Sequence, residues 1–380
     1  MSRKIVGAHE MHAIDGERSA AVVRTVRQTS PVLADALTDY AFGEIFARAE
    51  LGRRERELVT CAILSAIGGA ETQLRVHLSA ALRTGVDADE LIALCEHLTP
   101  YCGFPRALNA LSEARAILRE HKHVRPALPK KVRISDHETL VSDTGKGDAF
   151  ILLHAIGLDW RMWRDTILPL AKHHRVIAYD LRGHGYAAPA PKPLSLKRWA
   201  EDLLHLADHL KIEKFHLAGL SMGGMVALEF AISHPERLKS LDVIACAFQG
   251  AKEKFLQRAH DAEKHGVEPA IGPTLARWFT PEWLGVNPWS VRYARERILR
   301  GMVENWAGAW RAIAEPNIWE RLQEIKVATK FVAAELDKSA TADAMREMAK
   351  KVHKAKVQVI EGASHMVSLM RPVELAEALV

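Results

Sequence analysis

Phe215-His-Leu-Ala-Gly219-Leu-Ser221-Met222-Gly223-Gly224 is the stretch whose reading decides the fold. An apolar run ends in Gly-x-Ser-x-Gly and passes at once into Met225-Val-Ala-Leu-Glu-Phe-Ala, which reads as strand, tight turn and helix. That is the setting of a nucleophile elbow. Gly219 and Gly223 let the backbone turn sharply without a Cβ clash, so Ser221 is expected in a strained conformation with its hydroxyl exposed at the head of a helix. The backbone N–H of Met222 then points to where an oxyanion would form.

A nucleophilic serine needs a base, a group that orients the base, and a second oxyanion donor. Downstream, Phe331-Val-Ala-Ala-Glu335-Leu-Asp337 reads as a strand ending in acid, and Val359-Ile-Glu-Gly362-Ala-Ser-His365 as a strand followed by a loop histidine. The order serine, acid, histidine is the one this topology uses. Asp337 is the preferred acid, since Glu335 lies nearer the strand end and is free to be solvated. His365 is one of 19 histidines, and its place after the last strand singles it out. In His154-Ala155-Ile156-Gly157 the N–H of Ile156 is the expected second donor, and His154 shapes the turn. His184, in Asp180-Leu-Arg-Gly-His184-Gly, reads as structural.

Working outward, the chain has 380 residues, 48% hydrophobic and 26% charged, which is enough for two domains with cores of their own. The net charge of +5 is spread along the chain, so no nucleic-acid stripe is expected; it suits a small anionic substrate. Cys61, Cys95, Cys102 and Cys246 form no CxxC pair or metal cluster and read as reduced thiols of a cytoplasmic protein. No signal core or membrane span is expected.

Residues 1–122 read as an all-α domain, with helices over Glu17–Arg27, Leu33–Arg48, Arg53–Ile67, Glu71–Arg83, Ala88–His97 and Phe104–Arg119. Residues 123–131, with Pro126 and Pro129, read as a linker. From 132 to 380, short apolar runs alternate with helices as in a doubly wound α/β sheet. A Trp-rich helical insertion over about 248–322 reads as a cap above the carboxyl ends of the strands, and Pro372–Val380 as the final helix.

On these motifs, residues 132–380 resemble an α/β-hydrolase. Tyr179-Asp-Leu-Arg-Gly-His-Gly, Gly219-Leu-Ser-Met-Gly-Gly and Arg277-Trp-Phe-Thr-Pro make this part similar to 3-oxoadipate enol-lactonases. In the helical part, Leu51-Gly-Arg-Arg-Glu-Arg-Glu57, Glu71-Thr-Gln-Leu-Arg75-Val-His77 and Tyr101-Cys-Gly-Phe-Pro105 resemble the carboxymuconolactone decarboxylase family over roughly residues 35–118. Redox members of that family carry Cys-x-x-Cys-x-x-x-His. Ala70 and Gln73 stand at those cysteine positions here, which argues against a thiol–disulfide cycle.

The second resemblance implies decarboxylation of an unsaturated lactone at its γ carbon, with electrons flowing through the double bond into the lactone carbonyl. That chemistry needs no metal or organic cofactor. It needs a proton donor and a carboxylate clamp. His77 is the candidate acid, Glu57 its orienter, and Arg75 with Arg53 the clamp. The bland alternative makes Arg75 an exposed helix residue and Glu57 part of a surface ion-pair run; Cys102 reads as a packing residue. Together the resemblances imply a bifunctional 4-carboxymuconolactone decarboxylase and 3-oxoadipate enol-lactonase of protocatechuate breakdown, and a homo-oligomer formed through the helical domain. The competing expectation is a monofunctional serine esterase or lactonase whose helical domain only oligomerises.

Overall fold

A computed structural model describes residues 2–248, 250–314 and 318–379. They divide into two compact units, Met1–Val124 and Arg125–Val380.

The first unit is helical. Arg53–Ile67 buries Glu57, Cys61 and Ser65, four residues apart on one face, and Glu71–Arg83 buries Leu74 and Leu78 against them. Ala88–Glu120 starts at a capping box in which the Asp87 carboxylate accepts the Asp89 N–H and Glu90 accepts the Asp87 N–H. The two helices expected over 88–97 and 104–119 run on as one, kinked at Gly103 (φ 75°, ψ 165°) between Pro100 and Pro105. Two elements differ further from expectation. A helix over Arg3–Asp15 precedes the expected start of helical structure, and the expected helix 33–48 is a short α-turn, Pro31–Asp35, followed by a π-helix, Ala36–Phe46.

The second unit holds one sheet of eight strands: β1 (Lys130–Ile134), β2 (His137–Gly145), β3 (Ala149–Leu153), β4 (Arg175–Tyr179), β5 (Phe215–Leu220), β6 (Leu238–Ile244), β7 (Thr329–Ala334) and β8 (Lys356–Ile360). The order is β1-β2-β4-β3-β5-β6-β7-β8; β3 through β8 run parallel, and β2 is antiparallel to both β1 and β4. Strand β1 begins at Lys130, inside the stretch expected to be linker. The central strands are apolar along their whole length because helices cover both faces; all of β3 is buried.

Helices over Lys252–His265, Glu268–Trp278, Pro281–Val286, Trp289–Leu299, Val303–Ala314 and Ile318–Arg321 lie between β6 and β7 and form the cap. Trp278, Trp306 and Trp310 are buried there. Gln249 and residues 315–317 of the expected cap, and Val380 of the expected final helix, lie outside the described residues. No helix of the described residues is long and apolar enough to cross a membrane.

Candidate active site

Strand β5 pairs with β3 and β6 so that Gly219 lies opposite Leu153 and Val243, and the chain then turns into the helix Met222–Ser233. The turn is built by close approach. A Cβ on Gly219 would lie 2.1 Å from the Gly223 carbonyl oxygen, and one on Gly223 would lie 2.3 Å from that of Leu153. Gly219→Ala is therefore expected to destabilise the unit by about 3 kcal/mol, the upper range for overpacking, read as a lowered urea midpoint at unchanged slope. Ser221 itself sits at φ 56°, ψ −113°, a conformation that costs a non-glycine residue roughly 1–3 kcal/mol. Its N–H, bonded to the Ile244 carbonyl at 2.9 Å, anchors it to the end of β6.

The loops after β7 and β8 complete the arrangement. With Nδ1 protonated, His365 donates to Asp337 Oδ2 at 2.7 Å, and its Nε2 accepts from the Ser221 hydroxyl at 3.0 Å. Asp337 Oδ1 accepts the Ser339 and Ala340 N–H groups at 2.7 and 3.0 Å. Burial pushes the Asp337 carboxyl up, but the His365 imidazole and these N–H groups outweigh it and hold the group below the usual carboxylate range. Glu335, the competing acid, is exposed and accepts the Gly362 N–H at 2.8 Å. Ile156 and Met222 both line the cavity in front of Ser221, and neither N–H meets a protein acceptor among the described residues.

His154 Nδ1 donates to the Ala155 carbonyl while Nε2 accepts the Leu181 N–H, each at 2.8 Å. Burial lowers His154 to about 4 and His184, packed edge-on against it, to about 3. Both stay neutral and hold the turn, as the sequence suggested.

The cavity measures about 380 Å³ and reaches up into the cap. Arg258 and Arg277 line it, half-buried, and among the described residues neither has a carboxylate partner. Arg258 lies over the Trp310 ring, 4.6 Å from its centre, and Arg277 donates to the Thr274 hydroxyl at 2.9 Å. Burial first, and then Arg277, lowers Arg258 to about 10, so it is still charged at neutral pH. Sequence reasoning missed Arg258, which no motif marks; Arg277 entered only as part of a resemblance.

In the helical unit, His77 Nδ1 donates to Glu57 Oε2 at 2.8 Å. Glu57 is fully buried, and its Oε1 has no hydrogen-bond partner. It is therefore no part of a surface ion-pair run, although its neighbours Arg53 and Arg54 pair with Glu10 and Glu90. A buried carboxylate oxygen left unpaired is costly, and a functional role is one explanation for keeping it. Arg75 is not brought to this pair: it binds Glu113 and Glu120, and two residues' spacing puts it on a different helix face from His77. Cys61 and Cys95 are buried free thiols and Cys102 is half-buried. Asp136, His137 and Asp202 also converge, but Arg182 already bridges the two carboxylates and Arg198 also donates to Asp136.

Residues 150–378 match the model of the alpha/beta hydrolase family. The chain belongs to that family. Among α/β-hydrolases, 3-oxoadipate enol-lactonase 2 of Acinetobacter baylyi is 28% identical over 225 residues, 59% of this chain and 84% of that protein. The (E)-2-((N-methylformamido)methylene)succinate hydrolase of the same organism is 23% identical over 66% of this chain and 97% of its own length. The crystal structure of the enol-lactonase from Burkholderia xenovorans LB400 superposes on this hydrolase with a TM-score of 0.63 at 27% identity, covering 66% of this chain and 98% of that one. Residues 31–116 match the carboxymuconolactone decarboxylase family, so the helical unit carries a second family's domain.

Proposed function

We propose that the chain decarboxylates 4-carboxymuconolactone in its helical unit and opens the resulting enol-lactone in its hydrolase unit, releasing 3-oxoadipate. The observation that carries this reading is the serine relay facing two half-buried arginines that have no acidic partner among the described residues, in a chain that also holds a decarboxylase-family domain. In the first step the γ-carbon–carboxylate bond breaks, CO2 leaves, and its electron pair moves through the ring double bond. His77 delivers a proton to the α carbon, and Glu57 holds the imidazole in place. In the second, Ser221 attacks the lactone carbonyl, His365 takes its proton, and the Ile156 and Met222 N–H groups receive the oxyanion. The ring oxygen departs as an enolate that becomes a ketone, and water frees the acid from Ser221.

Arg258 and Arg277 give the substrate's side-chain carboxylate its counter-charge. Changing either to glutamine is expected to raise KM for the carboxylated lactone roughly thirtyfold, about 2 kcal/mol for a lost charged hydrogen bond, while KM for 4-nitrophenyl acetate stays within about twofold. Equal effects on both substrates would refute the assignment. Self-association through the helical unit is supported by Val59, Ile63 and Ile67, an exposed apolar stripe four residues apart on one helix. The test of the whole proposal is product analysis with 4-carboxymuconolactone. CO2 and 3-oxoadipate are expected in equal amounts; no CO2 above background removes the decarboxylase half.

A second reading, a monofunctional esterase or lactonase, is favoured by one observation: Arg75 is engaged by Glu113 and Glu120, leaving the helical unit without the expected carboxylate clamp.

A further inference from the structure

The oxyanion turn is held from two sides. On the sheet side, Asp180 at the end of β4 accepts the Trp160 N–H at 3.0 Å, and His154 fastens the turn's first residues. On the other side the contacts come from the cap. Tyr293 donates to Asp159 Oδ1 at 2.8 Å, and its oxygen lies 3.2 Å from the Asp159 N–H, which donates to it. Arg297, one helical turn further on, forms an ion pair with Asp159, its Nε 2.9 Å from Oδ2 but not aligned for a hydrogen bond. Trp306 of the next cap helix covers Gly157 so closely that a Cβ there would meet its ring at 2.4 Å. Gly157 (φ 73°) therefore has no room for a side chain.

We infer that Tyr293 and Arg297, acting through the Asp159 carboxylate, position the Ile156 N–H, so that the cap sets the oxyanion site as well as covering the cavity. The inference rests on the hydrolase reading of Ser221 and not on the identity of the lactone. Asp159 is three residues beyond Ile156 in one tight turn, in which Leu158 N–H reaches the Ala155 carbonyl at 3.3 Å and Met162 N–H that of Asp159 at 3.1 Å. A shift of Asp159 is thus carried into the orientation of the Ile156 peptide. None of Asp159, Tyr293 and Arg297 lines the catalytic cavity, so all three are positioning residues.

Charge explains why the contact is firm. Asp159 is buried and faces Arg161 from its own turn, Arg297 and Tyr293 from the cap, Asp180 from β4, and the neutral His154 and His184. Burial works against its charge, but Arg161 and Arg297 outweigh it and keep the carboxyl low. Asp180 accepts the Trp160 and Tyr186 N–H groups and feels Arg297 only weakly, and it is raised to about 7, by burial and then by Asp159. The pair therefore holds its negative charge on Asp159, the member that the cap grips.

The test uses the full chain and a generic ester, 4-nitrophenyl acetate, so that it does not depend on the natural substrate. Reactive serines are counted by the end point of labelling with a fluorophosphonate, and kcat is expressed per labelled serine. Removing one oxyanion donor costs about 10²–10³ in kcat, and misplacing one costs less. Tyr293→Phe is expected to lower kcat per labelled serine about tenfold and Asp159→Asn about a hundredfold, with KM within about twofold in each. Wild-type kcat per labelled serine, or a change confined to KM or to the fraction labelled, overturns the inference. Should Asp159→Asn fail to fold, Tyr293→Phe, which deletes one oxygen and leaves the ion pairs, decides alone. A Ser221→Ala protein that still labels and hydrolyses would instead overturn the hydrolase reading.

Discussion

Ser221→Ala is expected to leave CO2 release from 4-carboxymuconolactone intact while ring opening falls by about 10⁵-fold or more, so that enol-lactone accumulates. The size follows from how the relay works. Ser221, His365 and Asp337 act as one unit, and loss of the nucleophile leaves only the residual catalysis of the oxyanion donors and binding, which is smaller by several orders of magnitude. The accumulated lactone, followed by chromatography, separates the two activities within one chain. Unaltered hydrolysis in the variant would remove Ser221 from the mechanism. Because alanine keeps the backbone of the elbow and relieves none of the glycine contacts around it, the melting temperature is expected to stay near that of the wild type.

The second large effect lies in the helical unit. His77→Ala is expected to reduce CO2 release by about 10²–10⁴-fold, the usual contribution of a positioned general acid, while hydrolysis of enol-lactone supplied directly is unchanged. Glu57→Gln keeps the shape of the pair and removes its charge, so a smaller loss is expected. Full decarboxylation by His77→Ala would place the proton donor elsewhere, whereas no CO2 release from the wild type would favour the monofunctional reading. Measuring both activities in each variant makes the two halves of the chain controls for one another.

What the sequence disclosed, and what it hid, follows from the range over which each feature is encoded. The elbow is local: Gly-x-Ser-x-Gly between an apolar run and a helix carries its own geometry, and Asp337 and His365 stand at the ends of strands that are themselves apolar runs. Helix Arg53–Ile67 was equally plain, with matching bounds. The helix Arg3–Asp15 was not, because its inward stripe is only Gly7, Met11 and Ile14 and its closest approach is made by backbone. A Cβ on its Gly7 would lie 1.9 Å from the Thr38 carbonyl oxygen, and one on Gly43 would lie 2.2 Å from that of Arg3. Such a crossing of glycines leaves only a short apolar stripe to read. Glu57 was legible as the partner of His77, but its burial was not: its sequence neighbours are charged and exposed, and only its place on the inner face with Cys61 and Ser65 buries it. Arg258 and the grip of Tyr293 on Asp159 depend on contacts far apart in the chain. A search for polar residues recurring on the inner face of cap helices would have flagged both, without identifying their partners.

The cationic lining of the catalytic cavity bears on more than recognition. Opening a carboxylated lactone turns a monoanion into a dianion, so Arg258 and Arg277, joined at the rim by Lys254 and Lys338, attract what leaves more strongly than what arrives. On this reading the slow event in each cycle is departure. Dissolved salt, by screening that attraction, would shorten the product's residence and quicken turnover even as it weakens capture.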